Sequence, residues 1–429
     1  MLLQVFRIVV VVAAVNAACV LAADPTPVEL QQSTRINALA SELLRVSLGD
    51  DALSNAMVSP VSLFYALSVL EAGAGDDSRS LLRRFLLGRS SDEAPVLQAV
   101  AVPLADALVH EADSGSTVGR FVMSNSLWST DGATSSRPYI FAQDFIDTVG
   151  EAFDADVYSV DFMAPGVSQR VNEWAQDRTF GLIREIIDDG TMRSLTWLIL
   201  NAAYFEGSWA TAMRRLPAGD DFRFVTATGD ELALETVATR QPMRLIDHDD
   251  GAVTLSIPFS GRRYHLLIHL APGETTDIAD WLHRIAIPRL GDATQAVFAQ
   301  GRAYQVDLRM PVFSYSRRLT LRADTPATQE LGLLPLFTGE ANFLTMVDRE
   351  RSHPAVHDTR VGLIQQDTRI ELDEKGVKAA AVTMVGGIVK STVAPRYPQR
   401  RIVVDRPFAW SIVEGSSRSI LFSGVFAQP

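Results

Sequence analysis

Cysteine is all but missing: among 429 residues Cys19 is the only one, and it falls in an apolar amino-terminal run. A mature chain without it has no disulfide, so packing must supply the stability. No Asn-x-Ser/Thr sequon occurs, so N-glycosylation is not expected. Positive charge is also short. The net charge of −12 argues against general nucleic-acid binding, which needs a basic surface. The catalytic motifs G-x-S-x-G, G-x-x-x-x-G-K-[ST] and H-E-x-x-H do not appear. His265 and His269 stand four apart, a spacing that on a helix suits a metal, but RRYHLLIHLAPG reads as a strand ending at Pro272. His353 and His357 flank Pro354 in a loop, and neither pair is taken as a metal site. No Pro/Gly/Ser-rich linker or internal repeat divides the chain.

Hydrophobic residues make up 47% and charged residues 21%, which fits a globular protein with a large core. Arg7 precedes the apolar run Ile8 to Val15, and Val20-Leu21-Ala22 fits the small-residue cleavage rule. Residues 1–23 are therefore expected to be a cleaved export signal, with Ala22 or Ala23 the last residue removed. A membrane anchor fits less well, because the run is short for spanning and Asn16 interrupts it. Residues 24–429 are read as one domain of the α+β class.

Apolar spacing predicts a helix over Gln31–Ser47 and another over Ser59–Leu70, capped by Ser59 with Pro60 in its first turn. The second is apolar on every side, so it should be buried. Arg79, Arg83, Arg84 and Arg89 surround a third helix. A solvated face explains them, and a polyanion site is the alternative. Phe121–Trp128 reads as a strand and Phe141–Val149 as part of a helix. Asn172–Ile187 reads as a helix ended by Asp188-Asp189-Gly190. WLILNAAYF is a continuous apolar run suited to a buried strand. Asn201 in its middle needs partners, or it costs roughly 1–3 kcal/mol, so it is expected to pin neighbouring strands. Strands then dominate to Ala271 (Phe222–Phe224, Leu232–Val237, Met243–Ile246, Ala252–Pro258, Tyr264–Ala271), with helical stretches expected in Asp277–Ile287 and Arg318–Glu330.

The most informative stretch is EKGVKAAAVTMVGGIVKSTVAPRYPQRRIVVDRPF, Glu374 to Phe408. As a strand it puts Val377, Ala379, Ala381, Thr383 and Val385 on one face and Lys378, Ala380, Val382 and Met384 on the other. It is small enough on both faces to slide between strands. Its Ala and Lys content suits a short helix equally, interrupted by Gly376 and Gly386-Gly387.

ELDEKGVKAAAVT resembles the hinge of the serpin reactive-centre loop, and DRPFAWSIVEGSSRSILFSGVFAQP resembles the serpin carboxyl-terminal hairpin and signature. NAMVSPVSLFYALSVLEAGAG, VNEWAQDRTFGLIREII, LILNAAYFEGSW, LRMPVFSYSRRLTL and LGLLPLFTGEANF resemble further serpin blocks, in family order, from about Asn55 to the end. The resemblance implies a single-domain serpin fold with three β-sheets, eight or nine helices and an exposed reactive-centre loop at about 374–401. It implies a hinge of Glu374, Gly376, Val377, Ala379, Ala380, Ala381, Val382 and Thr383. It also implies a sheet-opening region containing Ser59, Ser62, Asn201, Trp209 and Gln366.

The resemblance implies a monomeric suicide inhibitor of a trypsin-like serine protease, and the amino-terminal signal implies that it is secreted. It needs no cofactor, is not itself an enzyme and engages neither nucleic acid nor membrane. The cleaved bond in the family usually falls sixteen residues after the hinge glutamate, which gives Lys390-Ser391. Arg396, Arg400 and Arg401 compete, because the distal loop is long. A non-inhibitory carrier, chaperone or storage serpin is the alternative class, although the hinge residues stay small. Three departures from the family pattern stand out: Gln366 replaces a histidine, Val312 replaces the lysine that pairs with Glu374, and Val377-Lys378 replaces a Thr/Ser-Glu pair.

Overall fold

Ser59 shows how local chemistry starts an element here. Its backbone is extended, its hydroxyl accepts from Ser62 N at 3.3 Å, and Pro60 takes the first helical position, where a missing N–H costs nothing. The computed structural model describes residues 27–49, 54–88, 119–130, 137–219, 221–273, 277–356, 360–377 and 397–429. The expected signal segment 1–23, Arg89, His357 and the loop residues 378–396 lie outside them.

The first half of the described chain runs α1 (Pro27–Leu48), β1 (Ala56–Val58), α2 (Pro60–Ala72), α3 (Asp76–Leu87), β2 (Arg120–Thr130), α4 (Gln143–Phe153), β3 (Ala155–Val160), α5 (Val167–Arg178), α6 (Asp189–Ser194) and β4 (Trp197–Ser208). The helix expected over Asn172–Ile187 ends earlier, at Arg178. Phe180 (φ +51°) and Gly181 (φ +78°) turn left-handed, and Asp188 caps the following helix by accepting from Thr191 N at 2.9 Å rather than closing the previous one.

The second half runs β5 (Arg214–Leu216), β6 (Phe224–Val225), β7 (Glu231–Leu232), β8 (Thr236–Asp247), β9 (Val253–Pro258), β10 (Tyr264–Leu270), α7 (Ile278–Trp281) and α8 (Leu290–Ala299), followed by β11 (Arg302–Pro311), β12 (Phe313–Leu321) and α9 (Pro326–Glu330). It closes with β13 (Ile364–Leu372), β14 (Gly376–Val377), β15 (Gln399–Val403), β16 (Phe408–Glu414) and β17 (Ser419–Phe426). Of the expected stretch Arg318–Glu330, only Pro326–Glu330 is α-helical. Arg318 to Leu321 stay in β12 because each pairs with a residue of β13.

Nine α-helices and three sheets are present among the described residues. Nine strands form one sheet, and its path β1-β17-β16-β10-β9-β8-β11-β15 is joined by β5 on β8. Six form the second, in the order β12-β13-β14-β4-β2-β3, and β6-β7 make a small third. The six-stranded sheet is covered on both sides. On one, Leu198, Leu200 and Ala202 of β4 pack with Val171, Trp174 and Ala175 of α5. On the other, α2 lies beneath it, with Val61, Phe64, Leu67 and Leu70 in the main core. Within this sheet, among the described residues, β4 and β13 are linked only through the two residues of β14.

Candidate functional site

The turn that sends β13 back into its own sheet is built from one aspartate. Asp373 Oδ1 accepts from Lys375 N (2.7 Å) and Gly376 N (3.2 Å), and Asp373 N donates to Gly376 O (3.0 Å). Gly376 then pairs with Ser208, and Val377 pairs with Gly207 on one side and Leu372 on the other. Only glycine fits at 376. Its φ is +151°, and a Cβ there would stand 1.9 Å from Gly207 O. Val377 is 4% exposed, so the first hinge side chain is already in the core.

Trp209 clamps this turn from the end of β4. Its backbone N–H donates to Lys375 O and its indole Nε1–H to Asp373 O, both at 2.9 Å, while the ring stacks on Phe259 at 4.8 Å between centroids. Glu374 has a counter-charge although Val312 supplies none. Arg215 of β5 lies 3.2 Å from Glu374 and 2.5 Å from Glu235, whose backbone carbonyl accepts from Val312 N at 2.9 Å. The sequence pattern does not reveal Arg215, because it and its two partners come from three different segments.

Below the hinge, a chain of hydrogen bonds crosses the sheet. Ser59 Oγ donates to Leu421 O (2.8 Å), and the Gln366 amide bonds the Ser59 backbone twice, accepting from its N–H and donating to its C=O, at 2.8 Å each. Ser62 Oγ donates to Asn201 Oδ1 (2.5 Å), Asn201 Nδ2 to Asn125 Oδ1 (2.7 Å), and Asn125 Nδ2 to Phe153 O (2.9 Å). Asn201 thus ties β4 to β2 and α2. A cavity of about 40 Å³ lies here, lined by Ser62 and Leu63 of α2, Ile199 and Asn201 of β4, and Ile364 and Gln366 of β13 among others. Asn125 was not singled out from the sequence. Its signal is weaker than that at Asn201, because Ser124 and Ser126 flank it and β2 is not a continuous apolar run.

Ala379, Ala380, Ala381, Val382, Thr383, Lys390 and Ser391 lie outside the described residues, as do Lys378 and Arg396. Arg400 and Arg401 do not, and they drop out as alternative cleavage points. Both are strand residues of β15, paired with Val306 and Asp307 of β11, and Arg400 is bonded to Asp247 at 2.6 Å. A bond held in a ladder cannot be offered to a protease cleft. The basic cluster on α3 also changes character. Arg83 (2.6 Å) and Arg79 (3.8 Å) both reach Glu71, which is 2% exposed, so they neutralise a buried carboxylate.

The strand histidines serve the sheet. His265 Nδ1 bonds Ser256 Oγ at 2.9 Å and His269 Nδ1 bonds Thr254 Oγ1 at 3.1 Å. Burial pushes both imidazoles down, His265 to about 4 and His269 to about 3. Among the described residues no group of three or more His, Cys, Asp or Glu is placed to hold a metal ion.

A six-stranded sheet whose central strands are joined through a two-residue hinge, buried on one face by α2, defines the class. The chain belongs to the serpin family: the family model for "Serpin (serine protease inhibitor)" matches residues 34–429. Wheat Serpin-Z1C is 29% identical over 88% of this chain and 91% of its own length, and human Serpin B3 is 25% identical over 88% and 94%. The fold is shared with solved structures. The thermophilic serpin tengpin in its native state has a TM-score of 0.72 and 18% identity, over 92% of this chain and 94% of that one. Thyroxine-binding globulin in complex with thyroxine has a TM-score of 0.74 and 20% identity, over 92% and 99%. Serpins act as protease inhibitors, and some members are non-inhibitory.

Proposed function

We propose that this serpin is a secreted inhibitor that traps a trypsin-like serine protease by cleavage at Lys390-Ser391 and insertion of its own loop. The observation that carries the reading is β14: the hinge has made its first rungs between β4 and β13, and among the described residues no other strand joins those two. In the proposed reaction the protease serine oxygen attacks the Lys390 carbonyl carbon. The amide to Ser391 breaks, and the leaving nitrogen takes the proton carried by the protease histidine. The Lys390 ammonium matches the acidic specificity pocket of such enzymes. Before water hydrolyses the ester, the chain from Val377 onward extends β14 downward between β4 and β13. Fourteen residues from Val377 to Lys390 span roughly 46 Å at about 3.3 Å each. That carries the tethered protease across the sheet.

The test is a denaturing gel of the protein incubated with trypsin. A band at the summed mass that survives boiling is expected, together with a released peptide beginning at Ser391. Lys390→Ala should abolish the band and leave the folded state intact, since an exposed loop side chain contributes little stability. Cleaved inhibitor alone, without the larger band, would favour a carrier or storage role. A peptide beginning at Tyr397 would move the bond downstream to Arg396. Secretion is checked by sequencing the mature protein, which should begin at Ala23 or Asp24.

A further inference from the structure

The solvent-facing side of β5, β8, β11 and β15 carries an excess of arginine in a chain that is strongly negative overall. Inward positions of these strands, such as Val237, Gln241, Met243, Val306, Leu308 and Ile402, are buried. The alternate positions carry arginine. Arg240 pairs across with Asp307, and Asp307 with Arg401, while Arg214 stands opposite Ala238, two residues along the same face from Arg240. Arg214, Arg240 and Arg401 are exposed, and no ion pair engages any of them among the described residues. Arg309, on the same face, is held by Asp221 at 2.9 Å. Asp307 is the acid that stands between Arg240 and Arg401, while Asp221 and Asp247 are taken by Arg309 and Arg400, so the three remaining arginines leave the face net positive. With strands about 4.8 Å apart, Arg240 and Arg401 stand roughly 10 Å from each other.

We propose that this arginine face is a secondary docking surface for the target protease, and that it selects an enzyme with an acidic surface beside its active-site cleft. The inference rests on the inhibitory reading above and adds to it which trypsin-like enzyme fits. Continuity supplies the first argument. β15 begins at Gln399, nine residues after Lys390, so an enzyme seated on that bond lies within reach of the strand that follows it. Charge supplies the second. A basic face on a protein of net charge −12 steers only partners whose own acidic patch meets it, and such steering raises association rates by 10- to 1,000-fold at low salt. The central Asp307 suits a protein surface of mixed charge better than a uniformly anionic polymer. The whole chain's negative charge also opposes a long polyanion.

The experiment uses the full mature protein and a matched pair of enzymes, an anionic and a cationic trypsin, each with its nucleophilic serine replaced by alanine so that binding is read without trapping. The wild type should bind the anionic enzyme at least tenfold more tightly, and the preference should shrink as salt is raised. In Arg214→Glu/Arg240→Glu the preference should reverse, with an unchanged unfolding midpoint. Equal binding of the two enzymes, or a variant that loses both alike, overturns the proposal. Retention of the wild type on heparin that the variant loses would overturn it too, by assigning the face to a polyanion. Failure of the active trypsins to form a boiling-stable complex while the binding preference persists would refute the trapping reading and leave the docking surface standing.

Discussion

Two imidazoles sit within the nine-stranded sheet, and their cost is set by pH. His269 is 4% exposed and its pKa is lowered to about 3 by desolvation, while an unfolded histidine titrates near 6.5. The unfolded chain therefore binds more protons below that value, and stability must fall as pH drops from about 6.5 towards 3. At pH 5.5 this residue alone should cost about 1.4 kcal/mol relative to neutral pH, and His265 acts in the same direction. Urea titrations at pH 7.5 and 5.5 should show the loss, and His269→Gln should reduce it. Equal stability of the wild type at both values would rule this out. At this scale the sequence was informative where one residue type had one job. The amide at 201 declared itself by polarity in an apolar run, and the hydroxyl at 59 as a helix cap before Pro60. Arg215 did not, because its ion pairs with Glu235 and Glu374 exist only once three segments meet.

At the scale of the element, the hinge depends on one backbone conformation. Gly376→Val would force a side chain into the carbonyl of Gly207 at a φ that L residues rarely adopt. Strain of this kind costs about 1–3 kcal/mol, and here it can be relieved by lifting β14 out of the sheet. The variant should keep the rest of the fold, lose amide protection at Val377 in hydrogen exchange, and trap protease less efficiently. Protection at wild-type levels would show that the backbone absorbs the change. Elements with strong local signals were legible, α2 from Ser59-Pro60 and β4 from its apolar run, while β16 and β17 were legible through the family resemblance of the terminal hairpin. Those decided by tertiary pairing were not. The helical stretch expected within Arg318–Glu330 is confined to Pro326–Glu330, because β13 holds Arg318–Leu321 in a strand. The helix α5 was overextended because FGLIREII is also periodic, whereas Thr179 intervenes, its hydroxyl donating to Ala175 O and accepting from Ile183 N.

For the whole molecule, the proposed reaction is a race between insertion and hydrolysis. Val377 points into the core on β14, so residues at even spacing from it, including Thr383, are expected to face inward as the strand grows. An arginine at 383 would bring an unpaired charge under the sheet, costing several kcal/mol. A tenfold delay needs only about 1.4 kcal/mol in the barrier. Thr383→Arg should therefore be cut at Lys390-Ser391 and released rather than trapped. Calorimetry should find a large stability gain in cleaved wild type and a smaller one in the cleaved variant. A variant that traps as well as wild type would exclude insertion as the mechanism.

The place of β17 has a consequence for how the chain is made. β1, near the amino terminus, has β17 as its ladder partner, with Ala56 opposite Val425. Ser59 waits for Leu421, and Asn55 for Ala427 and Gln428. These partners are separated by about 370 residues. At roughly 5–20 residues per second, a ribosome needs about 20–75 s to bridge that interval. Throughout it the apolar α2 has been synthesised without the strand that closes the core over it. The apolar surface of α2 that β17 helps to cover is therefore exposed to aggregation for that interval, the situation in which nascent chains depend on chaperones.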